Sequence, residues 1–444
     1  MRRLFDLSWP IIGLNALQVV ALAVDTAMVG RTPQAAAALT GMGYASQLFF
    51  LLMVAMIGLT VGTVAFIARA HGARQRERVQ HILHQSTQLT VMLGIAVAIV
   101  GNLAAVPLMR LLGSDDAAME HGLAYLRPML VGTVFNYLSI LYAAALRGTG
   151  NTRLAFVVAL VMNGLNFVFN YGLILGNFGL PALGIGGAAY GTVLAQLCAV
   201  VMMIVMLRRD PESALEPSLV PRPFDRPLVA DLVRIGWPAG ANMLVLNAGF
   251  LSIVGMLARI DQGAVAAHGI GLRVQALAFV PGLAISQALG AMVGNALGGG
   301  RVDEARQILR AGIILCGSVM TTLGLLLVAA ASPLVSVFGV TVGSPVHAYA
   351  IQWMQLLGFA MPFVGVFIAQ TGLLSGAGAT RINLRINTAV TILQIPASYV
   401  LGFPLGLGAW GIWAAFPLSF SFKLIWASWE VRRGAWAITG TQVA

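Results

Sequence analysis

The chain has 444 residues, 59% of them hydrophobic and only 9% charged, and 26 basic against 15 acidic residues give a formal charge of +11. Soluble domains run near 25% charged, so this composition excludes a soluble enzyme. All the basic residues except Lys423 are arginine. They fall in short loops between long apolar segments, a topology pattern rather than a phosphate-binding groove, so no nucleic-acid partner is expected. Cys198 and Cys316 both lie in apolar stretches and offer neither a disulfide framework nor a metal site. No phosphate-binding loop of the GxxxxGK[ST] type occurs, which leaves the chain without an ATPase motif, and no cofactor is expected beyond a coupling ion.

A membrane span needs about 20 apolar residues to cross roughly 30 Å with every backbone group paired. The first apolar run, 5–30, follows a charged start, MRRLF, like that of a signal peptide. It holds Asp25 and lacks a small-residue cleavage site, so it reads as a retained first span. Further spans are predicted over 40–68, 82–109, 121–146, 152–176 and 184–207, then over 229–258, 265–297, 307–337, 347–374, 382–402 and 408–431. With the N-terminus in the cytoplasm, twenty arginines lie inside and three, Arg31, Arg110 and Arg259, outside, while Arg127, Arg273 and Lys423 fall within spans. That bias predicts a multi-pass protein of the cytoplasmic membrane with both termini inside and an even number of spans.

The longest polar interruption, RRDPESALEPSLVPRPFDRPLVAD, is rich in proline and charge and divides the chain nearly in half. An offset of 228 residues lays the first half on the second: Trp9 and Pro10 fall on Trp237 and Pro238, eight of twenty positions match between 28–47 and 256–275, and LRGTGNTR falls on LSGAGATR. Six spans per half is an even number, so the halves share an orientation and are expected to be related by a pseudo-two-fold axis along the membrane normal. The expected organisation is an N-terminal lobe at 1–207, a cytoplasmic linker at 208–228 and a C-terminal lobe at 229–444. A duplicated six-helix bundle suits a carrier with alternating access, whereas a channel more naturally repeats around a pore as an oligomer.

Fourteen of the fifteen acidic residues fall in loops, in or beside the linker, or at span ends; Asp25 alone lies well inside a span. An ionised carboxylate there costs about 2.5 to 3.5 kcal/mol even on a lenient insertion scale, so it needs protein or water around it and suits a group that takes up and releases a proton. A structural, hydrogen-bonded carboxylate near the outer interface is the alternative. Gln18 lies seven residues earlier on the same face. The fifth span carries Asn163, Asn166 and Asn170 on one face, and rise per residue places Asn170 at nearly the depth of Asp25, so the two can pair. Buried amides also simply bridge helices. Arg273, about eight residues into the eighth span, either lines a cavity or snorkels to the surface, and His268 is expected at the interface.

These motifs carry a resemblance. The doubled layout, VDTAMVGR ending the first span, AAHGIGLRVQAL opening the eighth, VGNALGGGRVDEAR after it and the paired LRGTGNTR and LSGAGATR turns resemble the multidrug and toxic compound extrusion (MATE) family, nearer its DinF-like branch. The resemblance covers nearly the whole chain. It implies a V-shaped pair of six-helix bundles, working as a monomer among membrane lipids, that expels cationic, amphipathic small molecules using a proton or sodium gradient. Asp25 matches the family's coupling carboxylate. Pro10 matches the first-span proline that acts as a hinge on protonation, and a proline there also breaks a helical hydrogen bond. Asn166 and Asn170 match an Asn-x-x-x-Asp pattern whose carboxylate is here an amide. That departure favours proton over sodium, because a hard cation prefers anionic oxygens. Two alternatives remain open at this point: a sodium-coupled exporter, and a lipid or polyprenol-linked flippase of similar two-bundle build, which would want more cavity cations than Arg273 and Arg127.

Overall fold

Backbone polar groups in lipid can pair only within their own helix or a closed barrel, and here helices take nearly all of the chain. The computed structural model describes residues 1–32 and 35–440. Its helices are α1 (Arg2–Val29), α2 (Ala35–Gly72), α3 (Arg76–Leu111), α4 (Asp116–Val131), α5 (Thr133–Thr149), α6 (Thr152–Leu175), α7 (Ile185–Arg209), α8 (Arg226–Leu257), α9 (Gln262–Gly298), α10 (Val302–Ala329), α11 (Ala331–Ser336), α12 (Pro345–Gly376), α13 (Thr380–Gly402) and α14 (Gly408–Arg433). Among the described residues nine are singly long and apolar enough to cross a membrane, and α4 with α5 is so when taken together as one bent pair. α13 and α14 are more polar, and their place as the last two of twelve spans follows from the repeat, under which Thr152 opening α6 falls on Thr380 opening α13.

Polar loop residues find a local use as helix caps. Asp115 accepts from the Ala118 N–H at 2.8 Å, Asp261 from Gly263 at 3.0 Å, and Ser344 opens α12 by accepting from His347 at 3.2 Å. Each satisfies a donor that the first helical turn leaves unpaired.

Two predicted spans are broken. The run 121–146 becomes α4 and α5, bent by 55° at Gly132. Pro128 lacks an N–H one turn before the bend, and Thr133 turns its hydroxyl back onto the Met129 carbonyl at 3.0 Å, a bond that bends helices. A side chain at Gly132 would overlap Val193 of α7. The run 307–337 becomes α10 and the short α11, because Pro333 cannot donate into the preceding turn.

The chain forms two compact units, and they are not its two sequence halves taken whole. The first unit is Gly13–Trp237, and the second joins Met1–Ile12 to Pro238–Ala444. Both divisions fall within three residues of a proline inside a helix, Pro10 in α1 and Pro238 in α8. The linker therefore belongs to the first unit, where it is strapped along α3. Arg76 pairs with Glu216 at 3.2 Å, His81 meets Asp225 at 2.9 Å, Gln85 donates to the Pro223 carbonyl at 3.0 Å, and Gln88 donates to that of Arg222 at 2.9 Å. Asp225 then caps α8 by accepting from Leu228 at 3.1 Å. The opening of α8 lies against α2, where side chains at Gly62 and Gly236 would meet the Leu232 and Gly58 carbonyls. The second unit is held by an apolar core of α9, α10, α12 and α14 in which Trp353 and Trp413 are fully buried.

Candidate functional site

α1 is the least buried of the nine helices, with 17% of its most apolar stretch covered, and Asp25 sits half-buried four residues before its end. The amide face of α6 meets it. Asn170, fully buried, donates its Nδ2 to Asp25 Oδ1 at 2.7 Å. With Asp25 ionised this is a charge-assisted hydrogen bond, worth about 1.5 to 3 kcal/mol against 0.5 to 1.5 for a neutral one. Asn170 also donates to Asn166 Oδ1 at 3.3 Å, Asn166 donates to the Thr192 hydroxyl of α7 at 3.1 Å, and Thr192 donates to the Ala188 carbonyl at 2.8 Å. A polar chain thus runs from α1 through α6 to α7, entirely within the first unit.

Glycine at position 191 makes the approach possible, since a Cβ there would overlap the Asn170 side-chain oxygen. That oxygen, Oδ1, is buried and accepts no hydrogen bond. Asn170 therefore offers a donor to an ionised Asp25 and, after the amide turns over, a free acceptor to a protonated one.

The other predicted residues stand apart from this chain. Asn163 turns back to donate to the Ala159 carbonyl of its own helix at 2.7 Å. Gln18 is exposed on α1, although it shares a stripe with Asp25. Pro10 is buried in the opening of α1 that belongs to the second unit. Arg273 is exposed on α9. His268, expected at the interface, is instead 1% exposed, with its ring 5.3 Å from that of Trp353 and 6.4 Å from that of Trp413. The reason is Gly271, three residues on, where any side chain would strike the Trp353 indole; its absence lets Trp353 close over His268.

Thr192 and Gly191 escaped the sequence reading. Thr192 and Gly191 lie in IGGAAYGTVLAQ, a stretch of small residues whose only local signal is close helix packing. Among the described residues no group of three histidine, cysteine or acidic side chains gathers as a metal site.

A doubled set of six spans, with one half-buried carboxylate pairing α1 to α6, defines a polytopic membrane protein built by duplication. The MatE family profile matches residues 10–172 and 238–400, two stretches of equal length set 228 residues apart, and the chain belongs to that family. Among its relatives, a probable multidrug resistance protein NorM of Thermotoga maritima is 28% identical over 97% of this chain and 93% of its own length. The multidrug resistance protein NorM of Burkholderia vietnamiensis is 29% identical over 94% of this chain and 91% of its own. Among solved structures, a MATE protein in the bent conformation superposes with a TM-score of 0.88 at 21% identity, over 97% of this chain and 94% of that one. A transporter from Pyrococcus furiosus, described as having a binding pocket of reversed polarity, gives 0.88 at 22% identity, over 97% and 95%. At such identity these two speak for the fold alone.

Proposed function

We propose that the chain is a secondary active exporter, a proton antiporter that expels cationic, amphipathic compounds by alternating access, working as a monomer in the cytoplasmic membrane with both termini inside. The observation that carries this reading is the 2.7 Å bond from Asn170 to Asp25, the one carboxylate well inside a span. The multidrug resistance proteins among its relatives support the class of cargo.

An ionised Asp25 accepts from Asn170 and holds the end of α1 against α6. Proton uptake removes the charge, replaces a charge-assisted bond by a neutral one and loosens that attachment by about 1 to 2 kcal/mol. α1 then bends where Pro10 interrupts its hydrogen bonds, and the cation loses the negative charge that drew it in. Proton release restores the charge for the next cation, so a single differential contact biases two states. Sodium is less well served, because Asn170 presents Asp25 with a donor, whereas a hard cation needs several oxygens.

Drug-driven proton flux in proteoliposomes, with and without sodium, tests the reading. Asp25→Asn is expected to lose coupled flux by at least about a hundredfold while the protein still folds, since the new amide can still pair with Asn170. Full proton-driven efflux by this variant would overturn the mechanism.

A further inference from the structure

The linker meets α3 where the hydrocarbon layer begins. From Val91 to Leu111 that helix carries no polar side chain except Arg110 and Asn102, and Asn102 turns back to donate to the Ala98 carbonyl at 2.7 Å. At 1.5 Å per residue the run is about 30 Å long, the thickness of the hydrocarbon core. Gln88, which donates to the Arg222 carbonyl at 2.9 Å, therefore lies about 4 to 5 Å outside that core, at the level of phospholipid headgroups. Arg222 is held at the same level.

The linker also keeps to one face of α3. His81, Gln85 and Gln88, which hold the Asp225 carboxylate and the Pro223 and Arg222 carbonyls, fall within an arc of about 80° that also contains Met92, Ile95, Ile99 and Leu103. Those four apolar side chains are 48% to 78% exposed. On a spanning helix a stripe of this kind is what lipid chains cover, and from Met92 to Leu103 it rises about 16 Å, the depth of one leaflet. The linker continues the stripe outward. Its Leu219, Val220 and Phe224 are exposed on either side of Arg222, a mixture of apolar and basic side chains that suits the boundary between headgroups and acyl chains.

Charge completes the surface. The linker carboxylates strapped to this helix are already engaged, Glu216 by Arg76 and Asp225 by His81. Arg78, three residues before His81, and Arg226, next after Asp225, flank that second pair, and with Arg222 they are exposed. Among the described residues none of these three arginines pairs with a carboxylate.

We propose that this face of the first unit seats one anionic phospholipid, from the leaflet on the linker's side. Arg222, with Arg78 and Arg226 behind it, holds the headgroup phosphate, and an acyl chain runs along Met92, Ile95, Ile99 and Leu103. A guanidinium takes a phosphate through two parallel N–H···O bonds. The lipid must carry a net negative charge, because the ammonium of a zwitterionic headgroup meets three like charges here. A bound lipid clamps the linker to α3 from outside, and the site stands whether or not Asp25 couples transport to protons.

Full-length protein in nanodiscs tests the seat, with phosphatidylglycerol and phosphatidylcholine as probes and the lipids retained after partial delipidation counted by native mass spectrometry. Phosphatidylglycerol is expected to be retained at least about tenfold over phosphatidylcholine, and Arg222→Gln is expected to lower that preference about fivefold. Arg222→Lys should keep most of it, since an ammonium still binds phosphate as a point charge. Equal retention of the two lipids, or an unchanged preference in Arg222→Gln, overturns the proposal. Glycerol 3-phosphate, a headgroup without chains, is expected not to displace the lipid; displacement at matched concentration would make this a site for free anions and overturn the lipid seat. Benzoylphenylalanine placed at the exposed Val220 is expected to form a lipid adduct on illumination, and the absence of any lipid adduct overturns the proposal as well.

Discussion

The two units start from one duplicated sequence and differ most where the first carries its polar chain. Asp25 falls on Ile253, Asn170 on Ser398, Asn166 on Gln394 and Thr192 on Phe420. Ile253 is 3% exposed in an apolar core, and the Ser398 hydroxyl is buried without a partner. In the other direction Ala195 falls on Lys423. Each unit thus holds an ionisable group inside a helix where the other has an aliphatic side chain. Helix positions survived the duplication because apolar length and turn residues dictate them, while the few in-span polar side chains diverged freely, since each needs only a local partner.

The contrast can be broken from the second unit. Ile253→Asp places a carboxylate where Asp25 falls in the repeat, but without an Asn170 to donate to it. The largest effect is expected here, about 3 kcal/mol or more of lost stability, measured as an earlier thermal unfolding transition in detergent. An unchanged transition would mean that the second unit can already host the acid. The next effect sharpens the first unit: Gly191→Ala pushes the Asn170 side chain away from Asp25. Losing one charge-assisted bond, about 1.5 to 3 kcal/mol, corresponds to at least about tenfold slower coupled transport. Ser419→Ala, at the matching position of the second unit, serves as the control and should leave the rate near wild type.

The smallest effect concerns the linker strap. The His81 hydrogen bond, followed by the Leu228 backbone N–H, holds the Asp225 carboxyl below its ordinary range. A depressed carboxyl contributes stability at pH values above its unfolded value near 3.9 and loses that contribution as pH falls through the folded value. The strap should therefore hold across neutral pH and loosen only in acid. His81→Ala at neutral pH is expected to cost under about 1 kcal/mol, as for other exposed pairs, and to show as faster protease nicking of 210–225. Equal nicking rates in the two proteins would remove the pair from the account.

Helix order, the repeat and the depth match between Asp25 and Asn170 were legible in the sequence, because apolar length, glycine turns and rise per residue report on them directly. The bend at Gly132 was not, since a glycine inside an apolar run reads the same whether the helix continues or turns. The burial of His268 depends on Trp353, 85 residues away, and on an empty Cβ position at Gly271, and no local pattern records that. The linker reads as the natural boundary between units because proline and charge gather there. The division by packing falls instead beside Pro10 and Pro238, where the helices run on without a gap.

That division bears on how such a chain could have arisen. Each half contributes the opening of its first helix to the unit that the other half builds: Met1–Ile12 goes with the second unit, and the start of α8 up to Trp237 goes with the first. This is the exchange seen in a domain-swapped homodimer, with the linker now joining the two copies. A single six-span copy could reproduce both exchanges only by pairing with its twin. Cutting the present chain in the linker should likewise yield two fragments that need one another to fold.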